Sequence, residues 1–259
     1  SLLAQPQLAV VGSRQPTATG REIAFDFSAD LATQGLVITS GLARGIDAAA
    51  HQGALSVAGG KTVAVCGHGL SHQYPWQHEE LFRKIAEQGA LVSEYLPPVE
   101  PQARLFPIRN RIIVGLSLGT LVVEAAEKSG SLISANYAAE YNREVFAVPG
   151  SIRSPQSAGC HQLIQQGAKL TRSTADILEE LAIDLPKSGC AANIEKNNCQ
   201  QDLFVTGLLS NVGDEATAID LIAARAAMPV ADVTIALLEL ELSGAVAAVP
   251  GGYIRVRRA

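Results

Sequence analysis

Two segments of the sequence combine arginine with glycine, serine or an aromatic residue. They are Ser40-Gly-Leu-Ala-Arg-Gly-Ile-Asp47 and Phe106-Pro-Ile-Arg-Asn-Arg-Ile-Ile-Val-Gly115. Arginine offers a rigid fork of hydrogen-bond donors, and turns rich in glycine and serine expose backbone N–H groups, so both features suit phosphate. Neither segment holds a nucleophile, a base and an orienting group together. The sequence therefore predicts a site that binds a polyanion without cutting it.

The second segment places Phe106 close to Arg109 and Arg111. An aromatic ring among guanidinium groups is typical of sites where bases stack while phosphates are bound. The alternative is that Phe106 belongs to the core and that the arginines pair with Glu94 and Glu100. We favour the binding interpretation, because arginines this close together repel one another unless an anion lies between them.

A third candidate is the run Leu8-Ala-Val-Val-Gly-Ser-Arg14, a strand that enters a glycine turn. It departs from the dinucleotide fingerprint G-x-G-x-x-G, so no NAD, FAD or other cofactor is expected. A helix beginning near Thr19 would direct its N-terminal dipole into the same crevice and favour anions there. An ordinary strand–helix turn with a surface arginine fits this run equally well.

Glu124 ends the strand-like run Gly119-Thr-Leu-Val-Val-Glu124. It could act as a catalytic acid or base, or it could orient Arg14 or Arg111. Acid–base chemistry usually needs a positioned partner, so a lone carboxylate is weak support for catalysis.

Histidine and cysteine spacing gives no metal signature. His68, His72 and His78 are spread irregularly around Tyr74-Pro75, whereas zinc ligands usually sit on a tight turn or at i, i+4. We expect these histidines to be solvated or hydrogen-bonded, with no metal bound. The four cysteines show no CxxC spacing, which favours reduced thiols in a cytoplasmic protein.

Short apolar runs alternate with amphipathic stretches along the first two thirds of the chain. The predicted strands are Leu8–Val11, Leu36–Thr39, Thr62–Val65, Leu91–Ser93, Thr120–Val123 and Val145–Val148. The predicted helices are Thr19–Gln34, Ile46–Ala58, Gln77–Gln88 and Ser131–Tyr141. This alternation predicts an α/β fold with an extended Rossmann-like, doubly wound and mostly parallel sheet. Ligands of such sheets bind at the carboxyl ends of the strands, where the glycine, serine and arginine residues collect.

We predict three parts: a Rossmann-like domain over residues 1–183, a linker over residues 184–202 and a winged-helix-like domain over residues 203–259. In the last part, two helices (217–226 and 229–243) precede two strand-like runs joined by Pro-Gly-Gly, which is a hairpin signal. The second helix contains acidic residues and neither lysine nor arginine, so it suits protein contacts better than a DNA groove.

Composition limits the partners. The chain has 259 residues and a formal net charge of −5, which argues against generic nucleic-acid binding but permits a local basic cluster. No apolar stretch is long enough to span a membrane, and no signal peptide is visible. The sequence opens on Ser1 without a methionine, so we expect a segment upstream of this start.

Several motifs occur in a fixed order: Val10-Val-Gly-Ser-Arg14, Ser40–Asp47, Ala50-His51, Gly53-Ala-Leu55, Tyr74-Pro75, Phe106–Ile113, Val122-Val-Glu-Ala125, Ser129-Gly-Ser131 and Val145–Gly150. Together they resemble the bacterial DNA-processing protein A (DprA/Smf) family over residues 8–180. The small C-terminal unit is similar to the winged-helix domain that many members carry.

This resemblance implies an extended Rossmann domain that binds single-stranded DNA. Because the sequence shows no complete catalytic set, we expect no enzymatic activity. The resemblance also implies a homodimer that hands the strand to the RecA recombinase and protects incoming DNA during natural transformation. Carried over by position, the DNA-binding residues would be Ser13, Arg14, Ser40, Gly41, Arg44, Phe106, Arg109, Asn110, Arg111, Lys128, Ser129, Gly130, Ser131 and Arg143. Phe106 would stack on a base, and Arg109 and Arg111 would bind phosphates or shape the pocket.

Two other hypotheses stay open. The run 119–124 partly resembles the nucleotide phosphoribohydrolases of the lysine-decarboxylase-like (LOG) family, although that family's Pro-Gly-Gly before the Gly-Thr is missing. Release of free base from nucleoside monophosphates would favour this enzyme. The third hypothesis is a purely protein-binding adaptor that acts through the acidic helix. Deletion of residues 203–259 discriminates it from the first, and we expect DNA binding to survive the deletion, at least in part.

Overall fold

The computed structural model describes residues 2–181, 217–226, 230, 233–234, 237, 240–241, 246–249 and 251–255. The chain divides into two compact units, residues 1–189 and residues 190–259. The predicted linker (184–202) lies outside the described residues. Within the described part, none of the helices has the length and apolar character needed to cross a membrane.

Seven strands form one parallel sheet in the first unit. They are β1 (Gln7–Val11), β2 (Val37–Ser40), β3 (Thr62–Cys66), β4 (Ala90–Ser93), β5 (Gly119–Val122), β6 (Glu144–Ala147) and β7 (Lys169–Leu170). The strand order is β4-β3-β2-β1-β5-β6-β7. The chain moves outward from β1 to β4 and then crosses back to β5, so the order reverses between β1 and β5. A crevice opens at such a reversal, outside the carboxyl ends of the strands.

Helices cover both faces of this sheet. They are α1 (Ala18–Thr33), α2 (Ile46–Ser56), α3 (Glu79–Gln88), α4 (Leu105–Leu116), α5 (Ser131–Glu140), α6 (Ala158–Gln165) and α7 (Thr174–Leu181). Alternate residues of a strand point to opposite faces. Leu8 and Val10 accordingly pack with residues of α1, α2 and α7, whereas Ala9 and Val11 pack with residues of α4, α5 and α6. The predicted doubly wound α/β fold is confirmed.

The second unit carries a C-terminal winged-helix domain. Its described elements are α8 (Ile219–Ala226) and an antiparallel hairpin of β8 (Val246–Val249) and β9 (Gly252–Arg255). Residues 230, 233, 234, 237, 240 and 241 are helical. Ile222, Val233, Leu237 and Val246 are buried together and form the core of this unit. The helix–helix–hairpin order therefore agrees with the sequence pattern.

The main departure from prediction is α4. Residues 106–115, predicted from the sequence to be a ligand-binding segment, belong to a helix that begins at Leu105. Pro107 is compatible with this helix, because a proline in the first turn removes an N–H that would have no intrahelical partner. Because this segment is helical, Arg109 and Arg111 lie on different faces of α4 and have different neighbours.

Candidate functional site

A cavity of about 450 Å³ lies where the strand order reverses. Four chain segments line it: the end of β1 and the loop after it, the β2–α2 loop, α4, and the N-terminus of α5. The lining residues are Val11, Gly12, Arg14, Ala43, Asp47, Ala103, Phe106, Pro107, Arg109, Asn110, Ile113, Ser129, Gly130, Ser131 and Ser134. Seven of the fourteen predicted site residues therefore border one cavity.

Arg109 forms a buried wall of this cavity, with only 4% of its surface exposed. Its Nη1 donates hydrogen bonds to the carbonyl oxygens of Gly41, at 2.7 Å, and Val65. The guanidinium thus joins α4 to the ends of β2 and β3. Of the two roles that the resemblance implied for Arg109, the geometry matches the shaping of the pocket.

Asp47 holds the β2–α2 turn from the other side. Its Oδ2 accepts hydrogen bonds from the backbone N–H groups of Gly41, at 3.1 Å, and Ala43, at 3.4 Å. Between them, Leu42 has a φ of 58°, a left-handed conformation that non-glycine residues rarely adopt. Burial raises the pKa of the Asp47 carboxyl, and the charge of Arg109 opposes that shift. Asp47 and Arg109 together fix the backbone that carries Arg44.

The loops after β1 and β2 approach each other closely at Gly45. This glycine has a φ of 84°, and a Cβ there would overlap the carbonyl oxygen of Ser13. The amide of Ile46 donates to the same oxygen at 3.1 Å. The glycine permits this approach, which brings Arg14 to the rim of the cavity.

Phe106 lines the main cavity and also a smaller one of about 50 Å³. The Arg14 guanidinium carbon lies 5.8 Å from the Phe106 ring centroid, in cation–π range. On Phe106 stacks the ring of Tyr74, with centroids 5.5 Å apart and planes 22° apart. Arg14 is exposed and Phe106 half-buried, so both remain accessible to a ligand.

The N-terminus of α5 borders the main cavity. The hydroxyls of Ser129 and Ser131 lie 2.6 Å apart, and the backbone N–H of Ser131 donates to Ser129 Oγ at 3.3 Å. Ser134 also lines the cavity; it is fully buried, and its hydroxyl has no hydrogen-bond partner. A helix N-terminus favours an anion, and the N-cap residue of this one, Gly130, has no side chain that could bond to the helix N–H groups.

The N-terminus of α1 is occupied by the chain's own carboxylate. Glu124 Oε1 accepts from the Thr17 hydroxyl at 2.6 Å, and its Oε2 accepts from the Thr17 backbone N–H at 2.9 Å. Thr17 in turn caps the helix by accepting from the N–H of Gly20. The expectation that this dipole attracts an external anion is therefore wrong. Neither arginine suggested for Glu124 is its hydrogen-bond partner; Thr17 is.

Three predicted site residues are engaged within the protein. The buried Ser40 hydroxyl donates to the carbonyl oxygen of Val10 at 2.6 Å. The N–H of Gly41 is bonded to Asp47, so it is not the exposed amide expected from the sequence. Ser13 Oγ accepts from the N–H of Gln15 at 3.1 Å.

The other predicted residues are dispersed. Arg44 is exposed and lines the smaller cavity, and Lys128 is exposed on the loop that leads to α5. Arg111 forms an ion pair with Glu94, which is the alternative that the sequence analysis ranked second. Arg143 directly precedes β6, so it lies at the amino edge of the parallel sheet, opposite the cavity. The structure does not bring Arg143 together with the others.

The histidines near Tyr74 bond to backbone carbonyl oxygens. His68 Nδ1 donates to Gly69 at 3.0 Å, His72 Nε2 to Pro98 at 3.1 Å and His78 Nδ1 to Leu42 at 3.2 Å. Among the residues that the structure describes, no three histidine, cysteine or acidic side chains are grouped as metal ligands.

Asp47, Tyr74 and Ser134 are site residues that the sequence pattern did not predict. For Arg109 a signal was present, because Leu105, Arg109 and Ile113 recur at i, i+4 and i+8 and so share one helix face. Both flanking residues are apolar and buried, so a helical interpretation would have placed Arg109 inside. No comparable sequence signal marks Tyr74 or Ser134.

The fold and the cavity define a class: a Rossmann-like protein with an anion-compatible crevice at the strand reversal and a winged-helix unit. Residues 1–182 match the family model described as DNA recombination-mediator protein A, and residues 206–252 match the DprA winged helix domain. The chain belongs to the DNA recombination-mediator protein A family.

Two curated relatives are similar in sequence to most of this chain. Protein Smf of Escherichia coli K12 is 52% identical over 257 residues, which cover 98% of this chain and 68% of that protein. DNA processing protein DprA of Bacillus subtilis is 46% identical over 175 residues, which cover 68% of this chain and 59% of that protein. The chain thus spans about two thirds of the length of these relatives.

Two solved structures share the fold of the first unit. DNA processing protein A from Streptococcus pneumoniae has a TM-score of 0.65 at 48% identity, over 69% of this chain and 62% of that one. DNA processing protein A from Helicobacter pylori, described as having a unique single-stranded DNA binding mode, has a TM-score of 0.64 at 30% identity. That match covers 70% of this chain and 82% of the other.

Proposed function

We propose that this protein is a recombination mediator that binds single-stranded DNA in the main cavity and leaves its bonds intact. The observation that carries the proposal is the lining of the cavity. An exposed Arg14 lies beside the half-buried ring of Phe106, opposite the N-terminus of α5 with the unpartnered hydroxyl of Ser134. The cation and the helix N-terminus suit phosphate, and the ring suits a base. The single-stranded DNA binding described for the Helicobacter pylori relative supports this ligand.

The proposal extends to a partner and a setting. The bound strand is handed to the RecA recombinase in the cytoplasm, the protein acts as a homodimer, and incoming DNA is protected during natural transformation. The family description as a recombination mediator supports this role. The handover is tested by following ATP hydrolysis by RecA on DNA covered with a single-strand-binding protein. Addition of this protein should shorten the lag, and an unchanged lag would count against the handover.

We also propose that the protein is not an enzyme. Glu124, the carboxylate that a nucleotide hydrolase would need, has both oxygens bonded to Thr17 at the N-terminus of α1. A carboxylate held as a helix anchor is not free to act as a base. Incubation with nucleoside monophosphates should release no free base. Turnover that Glu124→Gln abolishes would favour the hydrolase instead.

The binding test compares two arginines of the predicted set. Arg14→Ala should lower the affinity for a fluorescent single-stranded dT12 about tenfold, because a phosphate loses a charged donor. It should also reduce the slope of log affinity against log salt concentration by about one. Arg143→Ala, at the opposite edge of the sheet, is the matched control and should bind as the unmodified protein does. Equal affinities for all three proteins at low salt would refute the assignment of the cavity.

A further inference from the structure

We infer that Tyr74 forms a second base-stacking subsite, on which the nucleotide adjacent to the one in the main cavity rests. This inference rests on the proposed function and extends it to a residue of the β3–α3 loop. The ligand class is an unpaired nucleic-acid strand that bears bases. The subsite is the smaller cavity together with the exposed surface of Tyr74.

The arrangement of the Tyr74 and Phe106 rings is the first observation that supports this subsite. Phe106 lines the main cavity and lies against Tyr74, with ring planes only 22° apart. Tyr74 also meets the edge of the His68 ring at a centroid distance of 6.1 Å. Even with these contacts, 44% of Tyr74 stays exposed. The smaller cavity, at about 50 Å³, is too small to enclose a base, so a base must lie over it against the tyrosine.

The positive charges around the smaller cavity also support a subsite for a nucleotide. Arg14 and Arg44, both exposed, line the smaller cavity with Tyr74. A strand that leaves Phe106 toward Tyr74 therefore keeps its phosphates near cations. Stacking on an aromatic face is tolerant of sequence, because every base has such a face. This combination of rings and guanidinium groups is what a strand of unpaired nucleotides requires.

The charged residues around Trp76 indicate where the subsite ends. Trp76, the single tryptophan of the chain, is 75% exposed and lies only two residues beyond Tyr74. It borders a separate surface cavity with Glu79, Glu80 and Arg83. Arg83 is already paired with Glu87, and Glu80 with Lys84. A phosphate therefore gains less there than beside Arg14 and Arg44, and the subsite ends before Trp76. Trp76 therefore serves as a matched control for an exposed ring.

The experiment measures binding of dT12 and of a twelve-residue abasic deoxyribose-phosphate strand to variants of the full chain. Tyr74→Leu should lower the affinity for dT12 about fivefold, as expected for one lost stacking contact. It should leave the affinity for the abasic strand unchanged, since that strand has no bases. Tyr74→Phe keeps the ring and should retain the affinity, and Trp76→Leu should have no effect.

Several outcomes would overturn the inference. Equal dT12 affinity for Tyr74→Leu and the unmodified protein would remove the subsite, as would an equal loss on both strands, which indicates structural damage. If Phe106→Leu combined with Tyr74→Leu binds no worse than Phe106→Leu alone, Tyr74 acts only by supporting Phe106. Failure of the unmodified protein to bind dT12 at any salt concentration would instead overturn the proposed function, and the subsite with it.

Discussion

Replacement of Arg109 by alanine tests whether this arginine builds the cavity or contacts the ligand. The change removes two charge-assisted hydrogen bonds, to Gly41 and Val65, and leaves Asp47 buried without its neighbouring cation. Each buried carbonyl oxygen left without its donor costs about 1–3 kcal/mol, and the buried carboxyl also loses a favourable charge nearby, so the total is about 3–5 kcal/mol. For a domain of this size, each kcal/mol lowers the melting temperature by about 2–4 °C. We therefore expect a fall of about 6–20 °C.

Circular dichroism melting of the full chain measures this, with Arg14→Ala as the control. Arg14 is exposed, so its variant should melt within about 2 °C of the unmodified protein while binding DNA weakly. Adding Asp47→Asn to Arg109→Ala should restore part of the loss, because the uncompensated charge disappears. An Arg109→Ala protein that melts normally but no longer binds DNA would show that Arg109 contacts the ligand.

Two further predictions concern buried polar groups. Burial, together with the charges of Arg109 and His78, lowers the pKa of His51 to about 3. Between about pH 6.5 and pH 3, His51 is protonated in the unfolded chain but not in the folded protein. The free energy of unfolding should therefore fall as the pH drops through this range. Urea unfolding should show a loss of about 2 kcal/mol between pH 7 and pH 5, which His51→Asn should reduce; an equal loss in that variant would assign it to other groups. Ser40→Ala should lower the free energy of unfolding by about 1 kcal/mol, because the hydrogen bond to the Val10 carbonyl oxygen is lost. The affinity for DNA should stay unchanged. A variant of unchanged stability that binds DNA more weakly would show that Ser40 contacts the DNA.

The central strands β1, β2, β3 and β5 could be predicted because they are buried on both faces. Runs such as Leu8–Val11 are apolar throughout, and the observed strand Gln7–Val11 differs by one residue. The edge strand Lys169–Leu170 is two residues long and only partly buried, so it left no pattern to detect. The alternation of elements implied only that ligands bind at the carboxyl ends of the strands; the strand order, and so the reversal between β1 and β5, came from the structure.

The partners of the charged side chains could not be predicted in the same way. Glu124 bonds to Thr17, 107 residues away in the sequence, and nothing local favours that partner over Arg14. Two arginines two residues apart, Arg109 and Arg111, point to different surroundings because a helix turns 200° between them. One became a buried wall and the other a surface ion pair. The spacing of apolar residues indicates which face of α4 is buried, but the partner of each charged side chain depends on tertiary packing, which that spacing does not encode.

The bonds around Arg109 also bear on how fast a ligand can be captured. Because its guanidinium and Asp47 both grip the turn at Gly41, that turn should exchange its amide hydrogens as slowly as the core, with or without ligand. A binding site that is already ordered in the free protein loses little conformational entropy when the ligand binds. The encounter rate should then depend on ionic strength through the arginines at the rim, with no slow rearrangement following it.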